Sequence, residues 1–175
     1  MEQPLITAVT HSTSEARITL VGVPDEPGAA ARIFQALAGA NVNVDMIVQN
    51  EPTSAGGLAE ISFTIPRDDL RVALAALQEL EGDSYSEMNT HEVTGKVSIV
   101  GAGMRSHPGV VAKVFAVLAE EGVNIDMIAT SPIKISCVID RDRGEHAVRV
   151  LHSAFELSGP GTVAEELPFD DGPMP

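Results

Sequence analysis

The chain carries one stretch of sequence twice. Residues 27–47 read PGAAARIFQALAGANVNVDMI and residues 108–128 read PGVVAKVFAVLAEEGVNIDMI. They align without a gap, and 11 of the 21 positions are identical, among them Pro27/Pro108, Gly28/Gly109, Phe34/Phe115, Leu37/Leu118, Asn43/Asn124, Asp45/Asp126 and Met46/Met127. Arg32/Lys113, Ile33/Val114 and Val44/Ile125 are conservative exchanges. Duplication is the natural account. It is a strong constraint, because whatever one copy folds into the other must fold into as well.

Both copies follow one plan. A β-type run opens each, Arg17–Val23 (RITLVGV) and Lys96–Gly101 (KVSIVG), rich in β-branched residues. A Pro-Gly turn follows, then apolar residues at helical spacing: Ala30, Ile33, Phe34, Leu37 and Val111, Val114, Phe115, Leu118. Gly39 and Gly122 fall where these helices should end. Second strands are expected over Asn43–Gln49 and Asn124–Thr130, and third strands over Leu58–Ile65 and Ile133–Asp140. Second helices are expected over Asp68–Leu80, with Asp68 as N-cap, and over residues 144–155. Weaker last strands fall near Tyr85–His91 and Thr162–Glu166. The order is βαββαβ, twice, which predicts an α+β chain of two ferredoxin-like units, each an antiparallel sheet with both helices on one face. Leu5–Val9 reads as an extra strand ahead of the first copy.

Composition narrows the function. Aromatic residues are 3% of the chain, with no Trp and one Tyr, so the cores must be aliphatic. A net charge of -14 repels phosphate backbones and anionic lipid, so neither nucleic acid nor a membrane is an expected partner. Glu79, Glu81, Asp83 and Glu87 read as solvated surface. No apolar run approaches the length of a membrane helix, and the first residues, Met1-Glu2-Gln3-Pro4, carry no basic secretory start. The single cysteine, Cys137, lies in the apolar run Ile135–Ile139 and reads as packing rather than as a nucleophile. With no second cysteine to pair it, the expected compartment is the reducing cytoplasm.

Chemistry concentrates at the first strand–helix junction. Copy one has Asp25-Glu26-Pro27-Gly28-Ala29-Ala30 and copy two has Arg105-Ser106-His107-Pro108-Gly109-Val110. A helix start offers unpaired N–H groups that can hold a carboxylate, and glycine lets a ligand come close. Asp25 can take an ammonium group, so the junction suits a zwitterion; an ordinary capped turn has the same residue types. Asn43-Val44-Asp45 and Asn124-Ile125-Asp126 are the second constellation. At a period of two, Asn43 and Asp45 share a face. Either they close the helix–strand turn and cap a backbone N–H, or they line a pocket. There is no phosphate loop, no third glycine after Gly101-Ala102-Gly103, no metal-spaced cluster and no triad; the five histidines are scattered, and no catalytic residue is expected.

At these residues the chain resembles the ACT domain, an amino-acid-sensing unit of ferredoxin-like fold. VxxxPGxAAxxFxxLAxAxVNxDMIxQN followed by GKVSxVGAGMRSHPGV is similar to the regulatory region of actinobacterial-type aspartate kinase, over about residues 3–165. The resemblance implies one ACT unit over 14–92, inserted into a second made of 3–10 plus 95–167, with 168–175 a flexible tail. It implies feedback inhibition by threonine and lysine bound between two chains, no metal and no other cofactor. Threonine is then expected at Asp25, Pro27, Gly28, Ala29, Ala30 and Gln49 of one chain, closed by Asn124 and Ile125 of the other. Lysine is expected at Met104, Ser106, His107, Gly109, Val110 and Ser131, with Asn43, Val44 and Asp45, the last near its ammonium group. The implied partners are a second copy, as a homodimer through the ACT units, and a catalytic aspartate kinase subunit in an α2β2-like assembly; the kinase portion itself, with its Lys-Phe-Gly-Gly segment, is absent from this sequence. The other reading is a stand-alone ACT sensor controlling a different enzyme or a transcription factor. Pro132 stands where the family usually has Glu, Asp126-Met127 where it has Glu-Leu, and the usual glycine-rich ending is missing.

Overall fold

The computed structural model describes residues 5–50, 52, 57–102 and 108–157. In chain order these form β1 (Leu5–Pro24), α1 (Ala29–Gly39), β2 (Ile47–Asn50), β3 (Leu58–Pro66), α2 (Leu70–Gln78), β4 (Glu87–Ala102), α3 (Pro108–Glu120), β5 (Met127–Thr130), β6 (Lys134–Asp140) and α4 (Gly144–Ala154). Two compact units divide the chain, Ser14–Thr94 and Met1–Thr13 with Gly95–Pro175.

In the first unit, Ser14–Thr94, the strand order is β2-β3-β1-β4. β1 pairs antiparallel with β3, bringing Ala16 opposite Ile65, Ile18 opposite Phe63 and Leu20 opposite Ile61. Opposed residues of an antiparallel pair point to one face, so these six form an apolar sheet face. Ile33 and Leu37 of α1 and Ala73 and Leu77 of α2 close over it, all at 0% exposure. Phe34 meets Phe63 edge-on, with ring centroids 5.4 Å apart. Full burial of each large side chain stabilises by about 1.5–3 kcal/mol, so this face contributes most to the unit's stability. On the sheet's other face Thr19 and Ser62 pair their hydroxyls at 2.9 Å.

The second unit repeats this with a different source for one strand. Its order is β5-β6-β4-β1, with α3 and α4 covering a core of Val97, Ile99, Ile135, Cys137 and Ile139. Ser98 and Ser136 pair their hydroxyls at 2.9 Å, as Thr19 and Ser62 do in the first unit. The strand flanking β4 is the start of β1, and Ile6 and Val9 join the core from there. The last strand expected at Thr162–Glu166 and the tail at 168–175 lie outside the described residues.

Several element ends differ from the sequence reading. The helix-stop residue in copy one is Asn41, at φ 56°, not Gly39, which is the last helical residue. Its counterpart Gly122 has φ 65°. The following amides close back identically, Val42 onto the Leu37 carbonyl at 3.0 Å and Val123 onto the Leu118 carbonyl at 2.8 Å. Asn tolerates the left-handed conformation better than other side chains, so it stands in for glycine. That closure uses up chain, so β2 and β5 begin at Ile47 and Met127 rather than at Asn43 and Asn124. Asp68 is not an N-cap: residues 67–69 form a 3-10 turn, and no side chain caps α2.

Gly122→Ala tests the helix stop directly. A Cβ there meets nothing within 4 Å, so only backbone strain is added, about 1 kcal/mol. Asn41→Gly should leave stability level or slightly raised. Urea midpoints check both; equal midpoints for Gly122→Ala and the parent would refute this account of the helix stop.

Candidate functional site

The turn before α1 is shaped by its own backbone. Glu26 N–H donates to the Pro24 carbonyl at 3.0 Å and Ala29 N–H to the Glu26 carbonyl at 3.2 Å. Gly28 adopts φ 98°, ψ -14° as the N-cap, and its carbonyl accepts the first helical bond from Arg32 N–H at 3.1 Å. No side chain caps this helix start, so Ala30 and Ala31 present the unpaired N–H groups of the first turn. Asp25, Glu26, Pro27 and Gly28 are all exposed. Ala29 is 3% exposed and belongs to the core, so only its backbone faces the turn. An ion pair that the sequence reading missed, Arg32 to Glu26 at 2.9 Å, spans the turn. The six-residue separation is not a helical spacing, and only the turn geometry brings the two together.

The sheet register places the remaining residues. Gln49 lies opposite Ile61, itself opposite Leu20, and Leu58 lies opposite Pro24. Gln49 therefore lies level with Leu20 of β1, five residues short of Asp25. Asn43, Val44 and Asp45 sit toward the end of the unit away from the Asp25–Ala30 turn, where Asp45 N–H joins the Thr64 carbonyl at 3.0 Å and Thr64 lies opposite Arg17. From Arg17 to Asp25 the strand rise amounts to roughly 25 Å. An amino acid spans a small fraction of that, so within one unit the Asp25–Ala30 turn and the Asn43–Asp45 segment cannot line one pocket. Asn43 and Asp45 are exposed while Met46 is buried, which is the two-residue alternation read from the sequence, although the strand itself starts later.

The second unit divides in the same manner. Gly109 is exposed at the start of α3, whereas Val110 is 4% exposed and packs in the core, leaving it a backbone role at most. Ser131, just past β5, spends its polar groups on the β5–β6 turn: its N–H donates to the Lys134 carbonyl at 2.7 Å, and Ile133 N–H reaches its Oγ at 3.4 Å. At the opposite end Asn124 is exposed, its Nδ2 donates to Asp126 Oδ1 at 3.3 Å, and Ile125 packs partly against the core. Met104, Ser106 and His107 lie outside the described residues. Among the described residues no group of His, Cys, Asp and Glu could hold a metal ion, and no helix is long and apolar enough to cross a membrane.

Comparisons with known proteins agree with the fold. ACT-domain family models match residues 17–82 and 97–155. Aspartokinase from Mycolicibacterium smegmatis is 46% identical over 160 residues, 91% of this chain and 38% of the relative. The chain thus spans well under half the length of the curated relatives it matches. A crystal structure of aspartokinase alpha and beta subunits is 47% identical, covering 86% of this chain and 99% of that one with a TM-score of 0.79. The ligand-free regulatory subunit of aspartate kinase from Thermus thermophilus is 41% identical over the same shares, with a TM-score of 0.81. This chain belongs to the regulatory ACT family of aspartokinases. The helices and antiparallel strands described above make up its two ACT units.

Two buried groups lie away from the turns. Burial pushes the Cys137 thiol from 9.0 up to about 11, so it stays protonated at neutral pH, as its packing role requires. Tyr85, the sole tyrosine, donates its hydroxyl to the Leu77 carbonyl at 2.9 Å. Burial, and secondarily the Glu81 carboxylate, raise it above 10.0. A folded-state value above the unfolded one contributes stability that is complete below the unfolded value and lost as pH rises through the folded one. For Cys137 that window runs from pH 9 to about 11 and is worth about 2–3 kcal/mol. Urea unfolding at pH 8.5 and pH 11 should show Cys137→Val losing less stability than the parent; equal losses would mean that the thiol does not titrate as its burial requires.

Proposed function

We propose that this chain is an amino-acid sensor that imposes feedback inhibition by threonine and lysine on an aspartate kinase. It performs no chemistry of its own. The two effectors shift the kinase between states through their unequal affinity for those states. The observation that carries the reading is the separation of the Asp25–Ala30 turn from the Asn43–Asp45 segment at opposite ends of the first unit, with Gln49 between them. Two half-sites roughly 25 Å apart cannot meet within a unit, but two copies placed end against end can complete each pocket from both chains.

Threonine is assigned to the turn of Asp25, Pro27, Gly28, Ala29 and Ala30 with Gln49, closed by Asn124 and Ile125 of a second copy. Its carboxylate suits the uncapped N–H groups of α1 and its ammonium group suits Asp25. Lysine is assigned to Met104, Ser106, His107, Gly109, Val110 and Ser131 of one copy with Asn43, Val44 and Asp45 of the other, and Asp45 faces its side-chain ammonium. Ala29 and Val110 act through their backbone, and Ser131 through the turn it holds. The catalytic aspartate kinase subunit is the partner through which the signal is read, and 14–92 and 3–10 plus 95–167 are the two sensing units.

A ligand that bridges two chains stabilises the dimer by mass action. Millimolar threonine or lysine should therefore shift sedimentation toward the dimer. Calorimetry should show Asp25→Asn weakening threonine, and Asp45→Asn weakening lysine, by about tenfold each, the cost of a lost charge-assisted bond. If neither amino acid changes sedimentation or heat at those concentrations, the assignment of these effectors is wrong.

A further inference from the structure

We infer that two exposed hydroxyls, Ser86 in the first unit and Thr7 in the second, are positioning residues that clamp the strand ends feeding the two Pro-Gly turns. Ser86 Oγ donates to the Val21 carbonyl at 3.1 Å, and Ser86 N–H donates to the same oxygen at 2.9 Å. Thr7 Oγ1 donates to the Val100 carbonyl at 3.2 Å. Val21 and Val100 are equivalent in the repeat, and each is followed by a glycine, Gly22 and Gly101. The donors are not equivalent in sequence. Ser86 follows α2, whereas Thr7 lies ahead of the first copy. They share only their place in the fold, beside the last turn of a unit's first strand. A contact copied by position but not by sequence is hard to ascribe to the duplication alone.

The local backbone supports the same role. Gly22 has φ 77° and marks a break in register between Val21 and Val23, a bulge that re-aims the strand as it leaves the sheet. A Cβ at Gly22 would overlap the Ser86 hydroxyl and lie 2.9 Å from its Cβ, so the clamp closes only over glycine. Asp25 is three residues on, and the turn's own bonds, Glu26 N–H to Pro24 and Ala29 N–H to Glu26, begin immediately beyond. Fixing the Val21 carbonyl therefore fixes the root of the turn that is assigned to threonine; the binding part of this inference rests on that assignment.

The test uses the full chain. Ser86→Ala should speed amide exchange at Glu26 and Ala29 about threefold or more, the scale of one net hydrogen bond, and leave Gly101 unchanged. Thr7→Val should do the reverse, with Gly101 as its reporter because that amide donates to the Ile133 carbonyl at 2.9 Å beside the clamp. Ser86→Thr, which keeps the hydroxyl, should restore parent exchange. Threonine affinity should fall about threefold in Ser86→Ala while lysine affinity holds. Unchanged exchange at Glu26 and Ala29, or an equal rise at Gly101, would overturn the clamp. A parent chain that binds neither amino acid would overturn the sensor assignment instead, and the exchange data would still decide the clamp.

Discussion

Each unit is completed by a fourth strand, and only the first unit takes it from its own continuous run of chain. A central strand whose N–H and C=O groups lack partners on one side cannot be buried, so the fourth strand must be in place before the sheet is complete. In the first unit that strand is the early part of β4, reached through α2. In the second it is Leu5–Thr13, which precedes the whole first unit. Ile6 and Val9 thus join the core of Val97 and Ile99 across some ninety residues of chain. The long strands β1 and β4 follow from this arrangement. Each gives one segment to either unit; Thr7, the hydroxyl partner of Val100, lies in β1, and Ser86, the partner of Val21, stands one residue ahead of β4.

The duplication explains the fold better than it explains the sites. Helix positions that pack, such as Ile33/Val114 and Leu37/Leu118, are conserved between copies because the cores are built alike. The positions outside the cores diverge. Copy one has an acidic turn with an Arg32–Glu26 pair and Gln49 on its edge strand. Copy two has Ser131 folded into its own turn by the Lys134 carbonyl, with Pro132 beside it. The same backbone thus presents two chemically unlike ends.

Much of this was legible beforehand, and the exceptions share a physical cause. Periodicity located the four α-helices of the described residues, because burying one apolar stripe sets the spacing of Ile33, Leu37 and their counterparts. Strand pairs followed from β-branched runs of the right length. Glycine as a stop signal failed at Gly39, because the stop depends on a φ value that Asn41 supplies equally well. Asp68 failed as a cap because residues 67–69 tightened into a 3-10 turn, a choice made by packing. At the site, the Pro-Gly turn and the alternation of Asn43 and Asp45 were readable, being local. Two features were not: the Glu26–Arg32 pair and the Ser86 and Thr7 contacts arise from tertiary placement, and no spacing rule encodes them. The burial of Ala29 and Val110 does follow helical spacing, each one turn before Ile33 or Val114, but the reading set the start of the stripe one residue late, at Ala30 and Val111.

The separation of the half-sites has a consequence for how such a chain can signal. A pocket enclosed within one unit could bind its ligand without any change in assembly. Under the proposed assignment the two ends cannot, since each would gain its remaining contacts only from another copy. Binding and association then become one equilibrium, and the ligand's differential affinity is expressed as a preference among arrangements of subunits. The rigid part of each unit is its aliphatic core, which tolerates little deformation. What remains free to differ between arrangements is the exposed rim: the turn of Asp25–Gly28, Asn43 and Asp45, and Asn124 and Asp126. The contact of Ser86 with the Val21 carbonyl limits that freedom at the root of the first turn only, where the strand ends.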